Sequence, residues 1–215
     1  SHGRQWVDSP GGLALSLAWP EPFSASPAPS HPAWPLRLSL VVVLTLERFF
    51  KLKKTDLGVK WPNDIMARGR KLGGVLVSRH QIQGVWWLIA GIGINCSWPS
   101  SPNINRPVIA LDDLGVHQPA IEALVSSLSA AVEGLCQQMG PHDASLWVDE
   151  FHRRDIYANQ QVVVVHPLSG GTLADGCNRG VAHTGALRLE MNGVVRLIEV
   201  GELSLRAAMP SPQGA

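Results

Sequence analysis

The sequence has almost no excess of either charge. Eighteen Lys and Arg stand against seventeen Asp and Glu, a net charge of +1, so there is no electrostatic reason to expect DNA or RNA binding. Long blocks of like charge are missing too. The densest cluster, Lys51, Lys53 and Lys54, suits a solvated helix C-terminus better than a binding patch. Cysteine is scarce: Cys96, Cys136 and Cys177 form no metal or redox spacing, which argues against a disulfide scaffold and for a reduced, cytoplasmic setting. No apolar run is long enough to span a bilayer, because Arg37, Glu47 and Arg48 interrupt the most apolar stretch, Leu36 to Phe50. A signal-peptide pattern is also lacking.

Several common chemical signatures are missing as well. There is no Walker-type phosphate loop and no Gly-x-Ser-x-Gly elbow. Gly91-Ile92-Gly93 starts like a dinucleotide fingerprint, but Cys96 stands where the third glycine belongs and Pro99 leads into a loop. The eight histidines are scattered and do not cluster with cysteines as metal ligands do.

What remains is an ordinary globular composition. Hydrophobic residues make up 45% and charged residues 16% of 215 residues, enough for one core or a core with a small satellite. Residues 1–12 read as a loop with glycine and proline breakers. Leu13, Leu15, Leu17 and Trp19 alternate as on a strand with one face on a core. Pro20 to Pro35 is proline-rich and reads as a loop, and Leu36 to Phe50 as a buried helix. Gly58 to Trp61 predicts a short strand ending in a turn at Pro62-Asn63-Asp64. Val75–His80 and Val85–Ile92 predict a hairpin about Gln81–Gly84. Pro119 to Met139 carries apolar residues at helical spacing, with Pro119 in the first turn, and a second helix is predicted from about Asp143 to His152. After Asp155 the texture changes to short β-rich runs: Val162–His166, Gly185–Met191 and Val194–Val200. Gly170-Gly171 and Asn192-Gly193 mark turns. The expected fold class is α+β: a mixed sheet with helices over residues 1–155, then a small β domain, barrel-like, over 156–215.

Three segments put polar groups at strand ends beside glycines. Lys60-Trp61-Pro62-Asn63-Asp64 offers a cation, an amide and a carboxylate, a set that can serve phosphates and Mg²⁺; it reads equally as a turn bonded to its own backbone. Lys71-Leu72-Gly73-Gly74 places a cation beside two glycines that permit close approach of a ligand, or simply make a bend. Gly91-Ile92-Gly93-Ile94-Asn95 leaves gaps along one strand face, for a flat apolar ligand or for a close crossing of chain.

In this order and spacing the three segments resemble the catalytic domain of biotin–protein ligases. Gly3-Arg4-Gln5-Trp6 resembles the end of that family's Gly/Arg-rich loop, with one extra residue before Ser9. Gly201-Glu202-Leu203-Ser204-Leu205-Arg206 resembles its C-terminal signature. The resemblance covers essentially the whole chain. It implies a biotin/lipoate-ligase catalytic fold with an SH3-like C-terminal β-barrel. It also implies ATP-dependent conversion of biotin to biotinyl-5′-adenylate, then transfer to a lysine of the biotin carboxyl carrier protein of an acyl-CoA carboxylase. It implies Lys71 and Lys60 as catalytic residues, and Lys71, Gly73, Gly74, Gly91 and Gly93 around biotin. Arg4, Trp6, Lys60, Asn63, Asp64 and Asn95 would lie around ATP or the adenylate, with Asp64 on Mg²⁺. No DNA-binding or membrane-bound role is expected, and a homodimer is left open.

The family's domain is expected to begin upstream of Ser1, with a Ser-Thr-Asn segment for the biotin ureido ring and the first half of the Gly/Arg loop. The chain as written is therefore expected to fold poorly or bind biotin weakly. The alternatives are a remnant that only docks a carrier domain, a lipoate- or octanoate-attaching enzyme, and a purely structural β protein. The Lys-Trp-Pro-Asn-Asp segment and the β-rich tail speak against the lipoate- or octanoate-attaching enzyme, and the motif series speaks against the structural protein.

Overall fold

The computed structural model describes residues 11–20, 33–97, 107–138, 144–166, 169–199 and 203–208. Residues 1–10 of the expected first loop, with Arg4 and Trp6, lie outside these. The first sheet has five strands: β1 (Gly11–Pro20), β2 (Leu57–Lys60), β3 (Asp64–Ala67), β4 (Arg70–Ile82) and β5 (Val85–Ser97). They run in the order β1-β5-β4-β3-β2, and every neighbouring pair is antiparallel. The expected mixed sheet is thus an antiparallel one, with parallel pairing confined to isolated bridges at Val59–Asp155 and Lys71–Val108.

The alternation read in β1 is realised. Leu13, Leu15, Leu17 and Trp19 face inward while Ala14, Ser16, Ala18 and Pro20 are exposed. The strand begins at Gly11 and takes in Pro20, positions that the sequence gives to the flanking loops. β4 and β5 are also longer than expected and meet at Gln83-Gly84, both with positive φ, as a two-residue hairpin turn requires. β3 was not anticipated. Its Ile65, Met66 and Ala67 are all buried, so the period-two signal of a half-exposed strand is absent.

The helix α1 (Trp34–Phe50) covers the inner face of this sheet. It starts two residues earlier than expected, with Pro35 in the first turn, where no N–H partner is lost. Leu36, Leu38, Leu40, Val42, Val43 and Leu46 are all buried, an apolar girth wider than a single stripe. Trp34 packs edge-on against Trp19 at 5.7 Å, which ties the helix start to the end of β1. α2 (Ile121–Gln138) buries Leu124, Leu128 and Val132. Pro119 precedes it rather than sitting in its first turn, and Ala120 accepts the first helical bond from Leu124 N–H. α3 (Ala144–Arg154) is the second expected helix. Arg154 joins it to α1 by donating to Glu47 at 2.9 Å, and it also bonds Glu150.

The second sheet contains β6 (Gln161–Val165), β7 (Thr172–Val181), β8 (Leu187–Met191), β9 (Val194–Ile198) and β10 (Ser204–Ala207). Its order is β10-β6-β7-β8-β9, again antiparallel throughout. β9 and β10 are its two edges, so the described sheet is open and not a closed barrel. β7 was not anticipated because Gly176 and Gly180 interrupt its pattern. Gly176 is there for space, since a Cβ would stand 2.4 Å from the Glu190 carbonyl oxygen. β10 is too short to announce itself.

Buried side chains from both sheets belong to one cluster. Polar bonds cross between the sheets as well. The indole N–H of Trp61 donates to the Gly185 carbonyl at 3.1 Å, and Asn178 donates to Asp155 at 2.7 Å. Burial pushes the Asp155 carboxyl above its ordinary pKa, against the bonds from Tyr157 N–H and Asn178.

Candidate active site

Among the described residues, the outer face of the first sheet, away from α1, carries few large side chains along its middle. Register places Ala14, Gly93 and Gly74 in one row and Ser16, Gly91 and Leu76 in the next. A Cβ built on Gly91 would find nothing nearer than Leu76, at 3.9 Å. The result is a shallow trough whose floor is strand backbone, suited to a flat ligand. Gly73 serves another purpose. A Cβ there would lie 2.3 Å from the Gly93 carbonyl oxygen, so its hydrogen permits close strand packing.

At one end of the trough three charged side chains meet. Lys60, last residue of β2, lies 2.6 Å from Asp64 across the Trp61–Asn63 turn. The Lys71 ammonium pairs with the other Asp64 oxygen. All three side chains are mostly buried, with exposures of 15, 13 and 22% for Lys60, Asp64 and Lys71. Burial disfavours charge on Asp64, yet the ammonium groups of Lys71 and Lys60 outweigh it and hold its pKa below the ordinary aspartate value.

Lys71 reaches this position through a β-bulge. Ile65 pairs with Gly73, but Met66 pairs with Lys71, so Leu72 is an extra residue in β4. A Cβ on Gly74 would be 3.3 Å from the Lys71 ammonium, which places both on the trough side. The backbone around the bulge is held from two directions. Asn63 donates its side-chain amide to the Val75 carbonyl at 2.7 Å and accepts from Val75 N–H at 3.0 Å. Asn95 donates to the Lys71 carbonyl at 3.2 Å and to the Ile109 carbonyl at 3.0 Å.

The expected residues Lys60, Asn63, Asp64, Lys71, Gly74, Gly91 and Gly93 therefore converge on one face, with Gly73 just beneath and Asn95 bracing the edge. Sequence reading missed Trp61 as the link to the second sheet, Val108 and its neighbours as a brace for Lys71, and the bulge itself. The apolar string from Val108 to Leu111 was the one available signal for that brace. Asp64 was expected to hold Mg²⁺. Both its oxygens accept from ammonium groups, and among the described residues no three or more His, Cys, Asp or Glu gather as a metal site. The residues present do not fit a resident divalent ion.

The profile of the biotin/lipoate A/B protein ligase family matches residues 1–95. The chain is 30% identical over 214 residues to the bifunctional ligase/repressor BirA of Escherichia coli, covering 96% of this chain and 62% of that protein. It is 27% identical over 168 residues to the biotin–[acetyl-CoA-carboxylase] ligase of Mycobacterium tuberculosis, covering 78% and 60%. It thus spans about three fifths of the length of these relatives. Its fold is that of the biotin protein ligase from Aquifex aeolicus solved with biotin and ATP, with a TM-score of 0.78 over 96% of this chain and 83% of that one, at 22% identity. With the three motif segments assembled on one sheet face, these likenesses agree: over nearly all its length the chain is similar to biotin–protein ligases.

Proposed function

We propose that the chain activates biotin with ATP to biotinyl-5′-adenylate and transfers the biotinyl group to a lysine of a biotin carboxyl carrier domain. The observation that carries this reading is the pair of ammonium groups, Lys60 and Lys71, held by one carboxylate at the end of a row of small residues on the sheet face. The biotin rings lie on the backbone over Gly74, Gly91 and Gly93, with the valerate carboxylate directed to Lys71. That carboxylate oxygen attacks the α-phosphorus of ATP, the bond to pyrophosphate breaks, and the electron pair leaves on pyrophosphate. Cations placed before the reaction stabilise the charge that builds on the phosphoryl oxygens, where they act more strongly than in water. In the second step the carrier lysine amine attacks the mixed-anhydride carbonyl and AMP leaves.

Mg²⁺ enters with ATP as part of the substrate. Asp64 orients the two lysines, and the resemblance assigns Arg4 and Trp6, outside the described residues, to the adenylate. The division at residue 155 belongs to the same proposal: a catalytic domain, then a small β domain over 156–215 related to SH3-like barrels. Antiparallel order throughout the second sheet supports it. The carrier docks by edge-strand addition, a mode that an open sheet edge permits; a second copy of the chain is the competing occupant. Three free cysteines support a reducing, cytoplasmic setting, and among the described residues no helix is long and apolar enough to cross a membrane.

The test is biotin-dependent exchange of labelled pyrophosphate into ATP, followed by transfer to a carrier domain read on an avidin blot. Exchange without biotin, or no transfer despite exchange, would overturn the reading.

A further inference from the structure

We infer that Trp61 is a positioning residue for Lys60: its indole N–H ties the turn between Lys60 and Asp64 to the second sheet, so that the chain just before β8 helps to aim a cation in adenylate formation. This rests on the reading above, in which Lys60 serves the phosphates of ATP.

Lys60 is the last residue of β2, an edge strand of the first sheet. β3 pairs with one side of β2 and sets Lys60 opposite Asp64. The chain just after α3 covers the other side. Val59 bridges to Asp155, and Ile156 N–H donates to the Val59 carbonyl at 3.1 Å. The approach is close, since a Cβ on Gly58 would stand 2.6 Å from Ile156 Cγ2 and 2.9 Å from the Arg154 carbonyl oxygen. Trp61 follows Lys60 and is fully buried. Its indole N–H donates to the Gly185 carbonyl at 3.1 Å. The residues on either side of Lys60 are thus both bonded to chain beyond α3.

The acceptor is fixed in its turn. Gly185 N–H donates to the Ala182 carbonyl at 2.8 Å, and Ala182 N–H donates to the Ala186 carbonyl at 2.9 Å. Gly185 has a φ of +87°, and a Cβ there would lie 2.7 Å from the Ala33 Cα, so both backbone and space require glycine. Ala33 is the N-cap of α1, and the turn is therefore seated against the helix start. Indole has a single N–H donor and no acceptor, and Trp61 spends it on this carbonyl. Phenylalanine would keep a ring but leave the buried carbonyl short of a donor. Such a change touches no reacting group, yet it loosens the strand end from which the Lys60 ammonium extends. A displacement of about 1 Å at a reacting group costs about 100-fold in rate.

The experiment uses the full chain with Trp61→Phe, and the full chain with 3-benzothienylalanine in place of Trp61. The sulfur analogue keeps the shape of the indole and loses only its N–H. Two steps are measured apart: pyrophosphate exchange at saturating biotin, and transfer to a carrier domain from supplied biotinyl-5′-adenylate. The expected result is a kcat for exchange lower by about 10–100-fold in both variants, with transfer within about two-fold of the parent, because pyrophosphate has already left. Lys60→Ala with Trp61→Phe should exchange no more slowly than Lys60→Ala alone, since the two residues act as one unit. A further readout needs no turnover. Acetylation of Lys60 by an N-hydroxysuccinimide ester, mapped by peptide mass spectrometry, should quicken several-fold in both variants relative to Lys53 and Lys54. Equal losses in both steps would overturn the inference and leave Trp61 a part of the core only. Parental exchange by the benzothienyl chain would overturn it as well. A parent chain that makes no adenylate would sink the functional reading, and the labelling of Lys60 would then decide the role of Trp61 by itself.

Discussion

Substituting Gly91 with alanine separates a glycine kept for a ligand from one kept for packing. The new methyl would stand 3.9 Å from the Leu76 carbonyl oxygen and 4.0 Å from the Leu76 Cβ, ordinary contacts that require no movement. Gly91 is not among the residues with positive φ, so alanine fits its backbone. Removing glycine from such a site stabilises by about 0.4–1 kcal/mol through the unfolded state, which for a chain of this size raises Tm by about 1–4 °C. The same methyl rises from the trough floor. If biotin rests there, intrusion into a fitted contact costs about 1–3 kcal/mol, a loss of roughly 5–150-fold in Kd. Scanning fluorimetry without ligand and titration calorimetry with biotin measure the two effects. A variant at least as stable as the parent but weak for biotin supports the assignment. Unchanged biotin affinity would refute it, because no ring could then lie over Gly91.

Gly73→Ala should behave in the opposite way. Its methyl meets a backbone oxygen at 2.3 Å, so we expect a loss of about 1–3 kcal/mol in urea unfolding, whether or not ligand is present. Asp64→Asn should cost stability between the about 1 kcal/mol of an exposed ion pair and the about 3–5 kcal/mol of a buried one. Because the folded pKa of Asp64 is depressed, its contribution is complete above the ordinary value near 3.8 and is lost as pH falls through the lower folded value. Unfolding curves of parent and Asp64→Asn should therefore converge below about pH 3.8 and stay separated above it. Glu47→Gln should destabilise by about 1–3 kcal/mol, since the buried Arg154 guanidinium that joins α3 to α1 loses its charged partner on α1 and keeps only Glu150. If the variant still folds, its KM for ATP should match that of the parent.

The strings legible in the sequence were those whose function needs polar residues at fixed offsets. Lys60, Asn63 and Asp64 sit on one turn, and the glycines of β4 and β5 lie in adjacent strands, so their linear spacing already carries their spatial relation. The long helix α1 and the alternating β1 were legible because periodicity reports burial on one side. β3 and β7 were not, for opposite reasons: one is buried on every side, and the other spends two positions on glycine. The openness of the second sheet also escaped notice, since closure depends on how edges meet and not on any single strand. The brace at Val108 escaped because it joins residues far apart in the chain by isolated backbone bonds, which no local pattern encodes.

Leu72 carries a consequence of a different kind. A plain strand would show Lys71 and Gly73 on one side and Leu72 and Gly74 on the other. With Leu72 inserted, the period on each face becomes three for one step: Lys71 joins Gly74 outside, and buried Leu72 is followed by buried Val75 inside. The position of the cation is therefore a matter of parity. Substitutions along β4 leave parity intact and change the site by degrees. Deleting Leu72 would restore the simple alternation and leave Lys71 two positions from Gly74, still on the outer face. Flattening the bulge with Leu72 kept and paired opposite Met66 would instead turn Lys71 through the sheet into the core, so this stretch should tolerate loss of the extra residue better than loss of the bulge around it.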